Sequence, residues 1–144
     1  MATSGVKCVP EVLDTFQKLS TKHVYRYITF KLNEDQTNIV VDKTGEPDKT
    51  FDDLKNDLPK DKCRYAVFDL KFFTKEQQQR EKVIFISHSP DNHADGKEKM
   101  VYSSSKKALL DKLGSGAIHA KFHFGDHSDI DLDEITQEMR TKFK

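Results

Sequence analysis

The sequence predicts an α+β fold, one domain whose central mixed β-sheet of about five strands is flanked by helices on both faces. Three observations predict it. The 144 residues suit one domain, with no internal repeat and no linker to divide them. Helical and extended patterns follow in the order helix, two strands, helix, two strands, helix, strand, helix. One extended segment, Val83-Ile84-Phe85-Ile86, is apolar without alternation, which marks a central strand covered on both faces.

Each element has its own signal. Residues 1–9 are small and polar and read as a flexible arm. Pro10 fits the first position of a helix, where its missing N–H does no harm. Val12, Leu13, Phe16 and Leu19 follow at helical spacing, so the helix spans 10–19. Tyr25-Arg26-Tyr27-Ile28-Thr29-Phe30-Lys31-Leu32 is aromatic and β-branched and reads as a strand. Asn33-Glu34-Asp35-Gln36 is turn chemistry, and 38–43 is the partner strand of a hairpin. Gly45-Glu46-Pro47-Asp48 is a loop. Thr50 is placed to cap a short helix that stops before Pro59, with Asp52 and Asp53 favourable in its first turn.

The second half continues in the same way. Residues 63–73 make the third strand around Ala66-Val67-Phe68, 75–80 a charged, glutamine-rich turn, and 82–87 the fourth strand. Ser89-Pro90-Asp91-Asn92 breaks the chain. A long helix covers 97–113, with Val101, Ser105, Leu109 and Leu113 as its stripe, Ala108 beside it, and Gly114 and Gly116 ending it. Between 117 and 124, Ile118, Ala120, Phe122 and Phe124 alternate with His119, Lys121 and His123, the pattern of a half-exposed strand. A turn covers 125–131, and Leu132, Ile135 and Met139 mark a last amphipathic helix running towards Lys144.

Composition narrows the function. Basic and acidic residues number 24 each, whereas a general nucleic-acid binder shows a strong basic excess. Balance of this kind still permits a local basic patch facing an acidic protein. Cys8 and Cys63 are too few for a disulfide framework or a four-cysteine zinc site and read as free thiols in a reducing compartment. No apolar run approaches the ~20 residues of a transmembrane helix, and residues 1–7 lack the apolar core of a secretory signal. The expectation is a cytosolic protein. There is no glycine-rich phosphate loop and no nucleophile motif, so no enzyme and no cofactor are expected. The pairs Asp52/Asp53 and Asp129/Asp131 read as helix-start charges.

Five segments, in this order, then carry a likeness. They are Ser4-Gly5-Val6, Leu58-Pro59 followed by Cys63-Arg64-Tyr65-Ala66, Arg80-x-Lys82, Ser89-Pro90-Asp91, and Lys99-Met100-Val101-Tyr102-Ser103-Ser104-Ser105-Lys106. Together they resemble the cofilin and actin-depolymerising-factor family over nearly the whole chain. The resemblance implies a single ADF-homology (gelsolin-like) domain, 1–144, that is monomeric, cytoplasmic and associated with the actin cytoskeleton. It implies binding to actin monomers and filaments, with filament depolymerisation or severing. One actin surface, used on monomers and filaments, would comprise Ser4, Gly5, Val6, Lys97, Lys99, Met100, Lys106 and Lys107, with the region before the last helix. A second, used on filaments only, would comprise Arg80, Lys82, Glu138, Arg140 and Lys142. Phosphorylation of Ser4 would switch binding off, Thr3 being the neighbouring acceptor. Phosphoinositides are a further implied partner.

The residues can be read without the resemblance too. Lys99 and Lys106 are seven apart and share a helix face, with the small Ser103 between them. Met100 is a flexible apolar side chain suited to an irregular cleft. Spacing alone favours the blander reading, a solvated lysine face and a core methionine, because most helical charge runs only solvate; the resemblance reverses that preference. Arg80 and Lys82 point to one side of a strand and would also serve as edge charges that discourage sheet pairing.

The chain departs from the family pattern in places. Lys107 stands where an acid is common, and Leu110 and Asp111 where bases are common. Ser87-His88 replaces the usual Trp before Ser-Pro-Asp, residues 92–96 lack the typical proline, and Gln137-Glu138 replaces an acidic-basic pair. No basic run resembles a nuclear-import signal. Two alternatives follow. One is a coactosin-like relative that binds filament sides or monomers with weak severing. The remoter one is a histidine-rich metal-binding protein using His119, His123 and His127. On a strand His119 and His123 would sit ~13 Å apart, too far to share an ion, so no metal site is expected there.

Overall fold

The computed structural model describes residues 6–91, 96–114 and 116–143. Its elements are β1 (Lys7–Cys8), α1 (Pro10–Ser20), β2 (Tyr27–Leu32), β3 (Asn38–Gly45), α2 (Phe51–Asp57), β4 (Arg64–Phe73), β5 (Gln79–His88), α3 (Gly96–Leu113), β6 (Ala120–Phe124) and α4 (Leu132–Lys142). A 3₁₀ turn at His127–Asp129 precedes α4. Six strands form one mixed sheet in the order β1-β3-β2-β4-β5-β6. The outer pairs β1/β3 and β5/β6 are parallel, and the inner pairs are antiparallel.

Strand alternation divides the core in two. Tyr65 and Val67 of β4 and Val83 and Phe85 of β5 face α1 and α3, where they meet Phe16, Leu19, Leu109 and Leu113. Ala66, Phe68 and Leu70 of β4 and Ile84 and Ile86 of β5 face α2 and α4, where they meet Phe51, Leu54, Ile135 and Met139. The non-alternating run 83–86 lies between β4 and β6 and is buried on both faces, as its composition requires.

Local chemistry sets the boundaries. Pro10 opens α1. Thr50 caps α2 through a reciprocal pair: its Oγ1 accepts from Asp53 N at 3.2 Å, and its own N–H donates to Asp53 Oδ2 at 2.8 Å. Gly114 ends α3 with φ +100°, a conformation that favours glycine. Gly45 continues β3 two residues past the expected end, opposite Tyr27. A Cβ there would lie 2.2 Å from the Tyr27 ring, so only glycine fits without a shift.

Several expectations need correction. The arm was expected to be loose throughout 1–9, yet Lys7 and Cys8 add a sixth strand. Lys7 N donates to Thr37 O and Val9 N to Ile39 O, each at 3.2 Å, and Val6 is buried in the core. Residues 1–5 lie outside the described ones. β2 starts at Tyr27 rather than Tyr25, β5 at Gln79 rather than Lys82, and β6 at Ala120 rather than Ala117. The β4–β5 hairpin is longer because its tight turn uses Gln77 at φ +69°, which leaves Gln79 and Arg80 free to pair with Phe73 and Phe72.

Candidate functional site

The outward face of α3 is defined by what the inward face is tied to. Tyr102, Ser105, Leu109 and Leu113 are the buried residues, so Tyr102 takes the stripe position expected of Val101, which is only half-buried. The Tyr102 hydroxyl accepts from Leu32 N at 3.0 Å, and its carbonyl accepts from the Tyr65 hydroxyl. Glu98 Oε2 accepts from Cys63 N at 2.6 Å. These bonds fix the rotation of the helix about its axis. With that rotation, Met100 points out and is 66% exposed, so it is not a core methionine.

Lys99, Met100, Ser103 and Lys106 line one groove of ≈ 320 Å³ together with Ser87 and His123. Lys99 Nζ pairs with Asp91 Oδ1 at 2.7 Å, which ties the start of α3 to the segment just after β5 and holds the Asp91 carboxyl below its ordinary pKa. His123 Nδ1 and Ser87 Oγ share a hydrogen bond of 2.5 Å. Burial first, and then Lys106, pull the His123 pKa down, so this imidazole is neutral near pH 7. Lys97 and Lys107 are exposed on the same helix, and Lys107 Nζ reaches Asp111 Oδ2 at 2.8 Å. Asp111 therefore partly neutralises Lys107, an exposed pair worth about 0.3–0.5 kcal/mol.

The root of the arm lies against this helix. The Cys8 thiol donates to the Ala108 carbonyl at 3.9 Å. Burial raises the Cys8 pKa and pushes that of Cys63 up to about 11, so both free thiols are poor nucleophiles. Val6 is a core residue, so its side chain is spent on the fold. Ser4 and Gly5 lie outside the described residues.

A second cluster forms at the turn end of the β4–β5 hairpin, on the face that carries α4. Arg80 and Lys82 stand opposite Phe72 and Leu70 and share that face. Lys82 Nζ sits 4.7 Å over the Phe143 ring. Arg140 Nε donates to Phe73 O at 2.7 Å, and Lys142 Nζ to His119 O at 2.8 Å. These contacts bring the end of α4 to Arg80 and Lys82, and Glu138 is exposed on the same helix. Sequence reasoning missed Phe73, which is 52% exposed beside Arg140. Its only signal was an aromatic residue at the end of a strand, next to the turn.

The histidines do not converge. His119 Nδ1 accepts from Val83 N at 3.0 Å, His123 bonds Ser87, and His127 Nε2 donates to Lys55 O at 2.8 Å. Each is spent on a different partner, two along β5 and one at α2, which removes the geometric basis for the metal reading of this stretch. His88 is buried edge-on to His127, with ring centroids 5.7 Å apart.

Comparisons with known proteins agree with this architecture. The family model described as Cofilin/tropomyosin-type actin-binding protein matches residues 5–140. The chain is 42% identical over 142 residues to a cofilin of Schizosaccharomyces pombe, covering 99% of this chain and 100% of that protein. It is 38% identical over 139 residues to actin-depolymerizing factor 3 of Zea mays, covering 96% and 98%. The crystal structure of a Streptomyces griseoflavus cofilin superposes with a TM-score of 0.83 at 33% identity, covering 93% of this chain and 96% of that one.

Proposed function

The chain belongs to the cofilin and actin-depolymerising-factor family of actin-binding proteins, which are not enzymes, and on that premise we propose that it binds actin monomers and filaments and promotes filament disassembly. The observation that supports this reading most directly is Met100, a large apolar side chain held out of α3. The fold makes no use of it. Lys99 and Lys106 line the same groove and suit an acidic partner such as actin. The methionine supplies apolar burial, and the lysines supply steering and register.

The two clusters divide the work. The α3 groove contacts actin in monomers and filaments alike. Arg80, Lys82, Arg140 and Lys142, with Glu138, contact a neighbouring subunit, and so act only on filaments. A protein engaging two subunits at once can favour a filament geometry that breaks or sheds subunits. Phosphorylation of Ser4 is the proposed off switch. It would add about −1.5 to −2 charges where an acidic partner must approach. An acidic phosphoinositide would compete for the same lysines. The protein acts as a monomer in the cytoplasm, on the actin cytoskeleton.

Co-sedimentation with filaments and imaging of single filaments test the proposal. Binding, with filaments that shorten or fragment faster than in buffer, is the expected result. No interaction with actin in either assay would overturn it. Passive side binding would instead favour the coactosin-like alternative. Ser4→Glu should mimic the phosphorylated form, and full activity of that variant would remove the switch.

A further inference from the structure

Three polar side chains meet between the end of α1 and the sheet, on the face of β5 opposite Arg80 and Lys82. His23 Nδ1 lies 3.1 Å from Asp69 Oδ2 and 3.3 Å from Glu81 Oε2. The three donor atoms all lie within 4.8 Å of one another. Asp69 is on β4 opposite Val83, and Glu81 is on β5 opposite Lys71. Alternation therefore puts both carboxylates on one face, and the α1–β2 connection brings His23 over them.

Asp69 is the unusual member. It continues the Tyr65, Val67 face into the protein and is only 3% exposed, yet its Oδ1 has no hydrogen-bond partner among the described residues. A buried carboxylate oxygen without a partner is costly. Burial first, and then its hydrogen bond with Glu81, push the Asp69 pKa up to about 6. Arg26 and Lys71 act on Glu81, whose own pKa is held down chiefly by Asp69.

We propose that His23, Asp69 and Glu81 bind a divalent transition-metal ion, with zinc the best match and water completing the coordination. Metal–ligand bonds of about 2.0–2.2 Å in a tetrahedron set neighbouring donors about 3.3 Å apart. His23 already has that spacing to both carboxylates. One imidazole and two carboxylates form a borderline donor set suited to such ions. The His23 side chain is 51% exposed and that of Glu81 37%, which leaves an entry path and an open coordination position. The competing occupant is a proton on His23. A protonated Nδ1 carries a single N–H and must split it between two carboxylates, whereas one ion serves all three donors. A bound ion would tie the α1–β2 connection to β4 and to the strand that carries Arg80 and Lys82.

Calorimetric titration of the full chain with ZnCl₂ tests this. One equivalent should bind, and His23→Gly and Glu81→Gln should each weaken it at least tenfold. Both replaced side chains are partly exposed, and glycine keeps the φ +54° of His23 without strain, so both variants should fold. His127→Ala and Cys8→Ser should bind as the parent does. Titration with CoCl₂ should give the visible absorption of a tetrahedral site, lost in His23→Gly. Absence of zinc binding, or binding undiminished in both His23→Gly and Glu81→Gln, would overturn the assignment.

Discussion

Met100→Ala separates binding from folding more cleanly than any other change. Fully burying a methionine side chain contributes about 1.5–3 kcal/mol. The side chain is 66% exposed in the free protein, so about two thirds of that gain is available to a partner, or about 1–2 kcal/mol. At 1.4 kcal/mol per tenfold, its loss should weaken actin-monomer binding by about 5- to 30-fold. The fold should be indifferent. Exposed substitutions usually move stability by less than about 0.5 kcal/mol, and alanine is the better helix former. Titration of fluorescently labelled monomeric actin reads the affinity, and a thermal melt of the same sample reads the stability. Unchanged affinity would refute the placement of α3 at the actin contact. A large fall in melting temperature would refute the claim that the fold does not use this side chain.

Four further outcomes are expected. The double change Lys99→Ala/Lys106→Ala should weaken monomer binding and reduce its salt dependence; equal salt slopes in variant and parent would move the electrostatic contact elsewhere. Arg80→Ala/Lys82→Ala should spare monomer binding and reduce filament co-sedimentation, and equal losses in both would collapse the two surfaces into one. Gly45→Ala forces a Cβ to within 2.2 Å of the Tyr27 ring, which is buried and bonded to Asp57 at 2.5 Å. Overpacking of that kind costs about 1–3 kcal/mol, and an unmoved denaturation midpoint would show that the ring yields. Burial holds His88 neutral and lowers its pKa from 6.5 to about 4. The unfolded chain therefore binds the extra proton first, and stability present above pH 6.5 is lost as pH falls towards 4, by about 3 kcal/mol in all. Asp69, with its raised pKa, acts in the opposite direction, so the comparison must be between variants. His88→Leu, which replaces two unpartnered ring nitrogens, should show a smaller loss over that window than the parent; an equal loss would assign the acid sensitivity to another group.

Much of this was legible in local patterns. The 83–86 run announced a strand covered on both faces, and Pro10, Thr50 and Gly114 announced helix ends, because each acts through its own backbone. The stretch from Lys99 to Lys106 announced a shared helix face but not which way that face turned. Spacing puts Val101 in the stripe, whereas the buried position belongs to Tyr102. Its burial depends on bonds to Leu32 and Tyr65, residues remote in sequence. β1 was invisible for a related reason. Two residues carry no alternation, and they are a strand only because the edge of β3 lies beside them.

The sequence by itself determined the order of elements, the two-sided burial of the sheet and the residues that carry the family likeness. All of these follow from spacings within a helix turn or a strand pair. Tertiary structure alone decided that Met100 faces outward, that the end of α4 meets Arg80 and Lys82, and that His119, His123 and His127 go to separate partners. It also brought His23, Asp69 and Glu81 together across more than fifty residues of chain. Such meetings depend on how strands register and helices rotate when the whole core packs at once, and no local window contains that information.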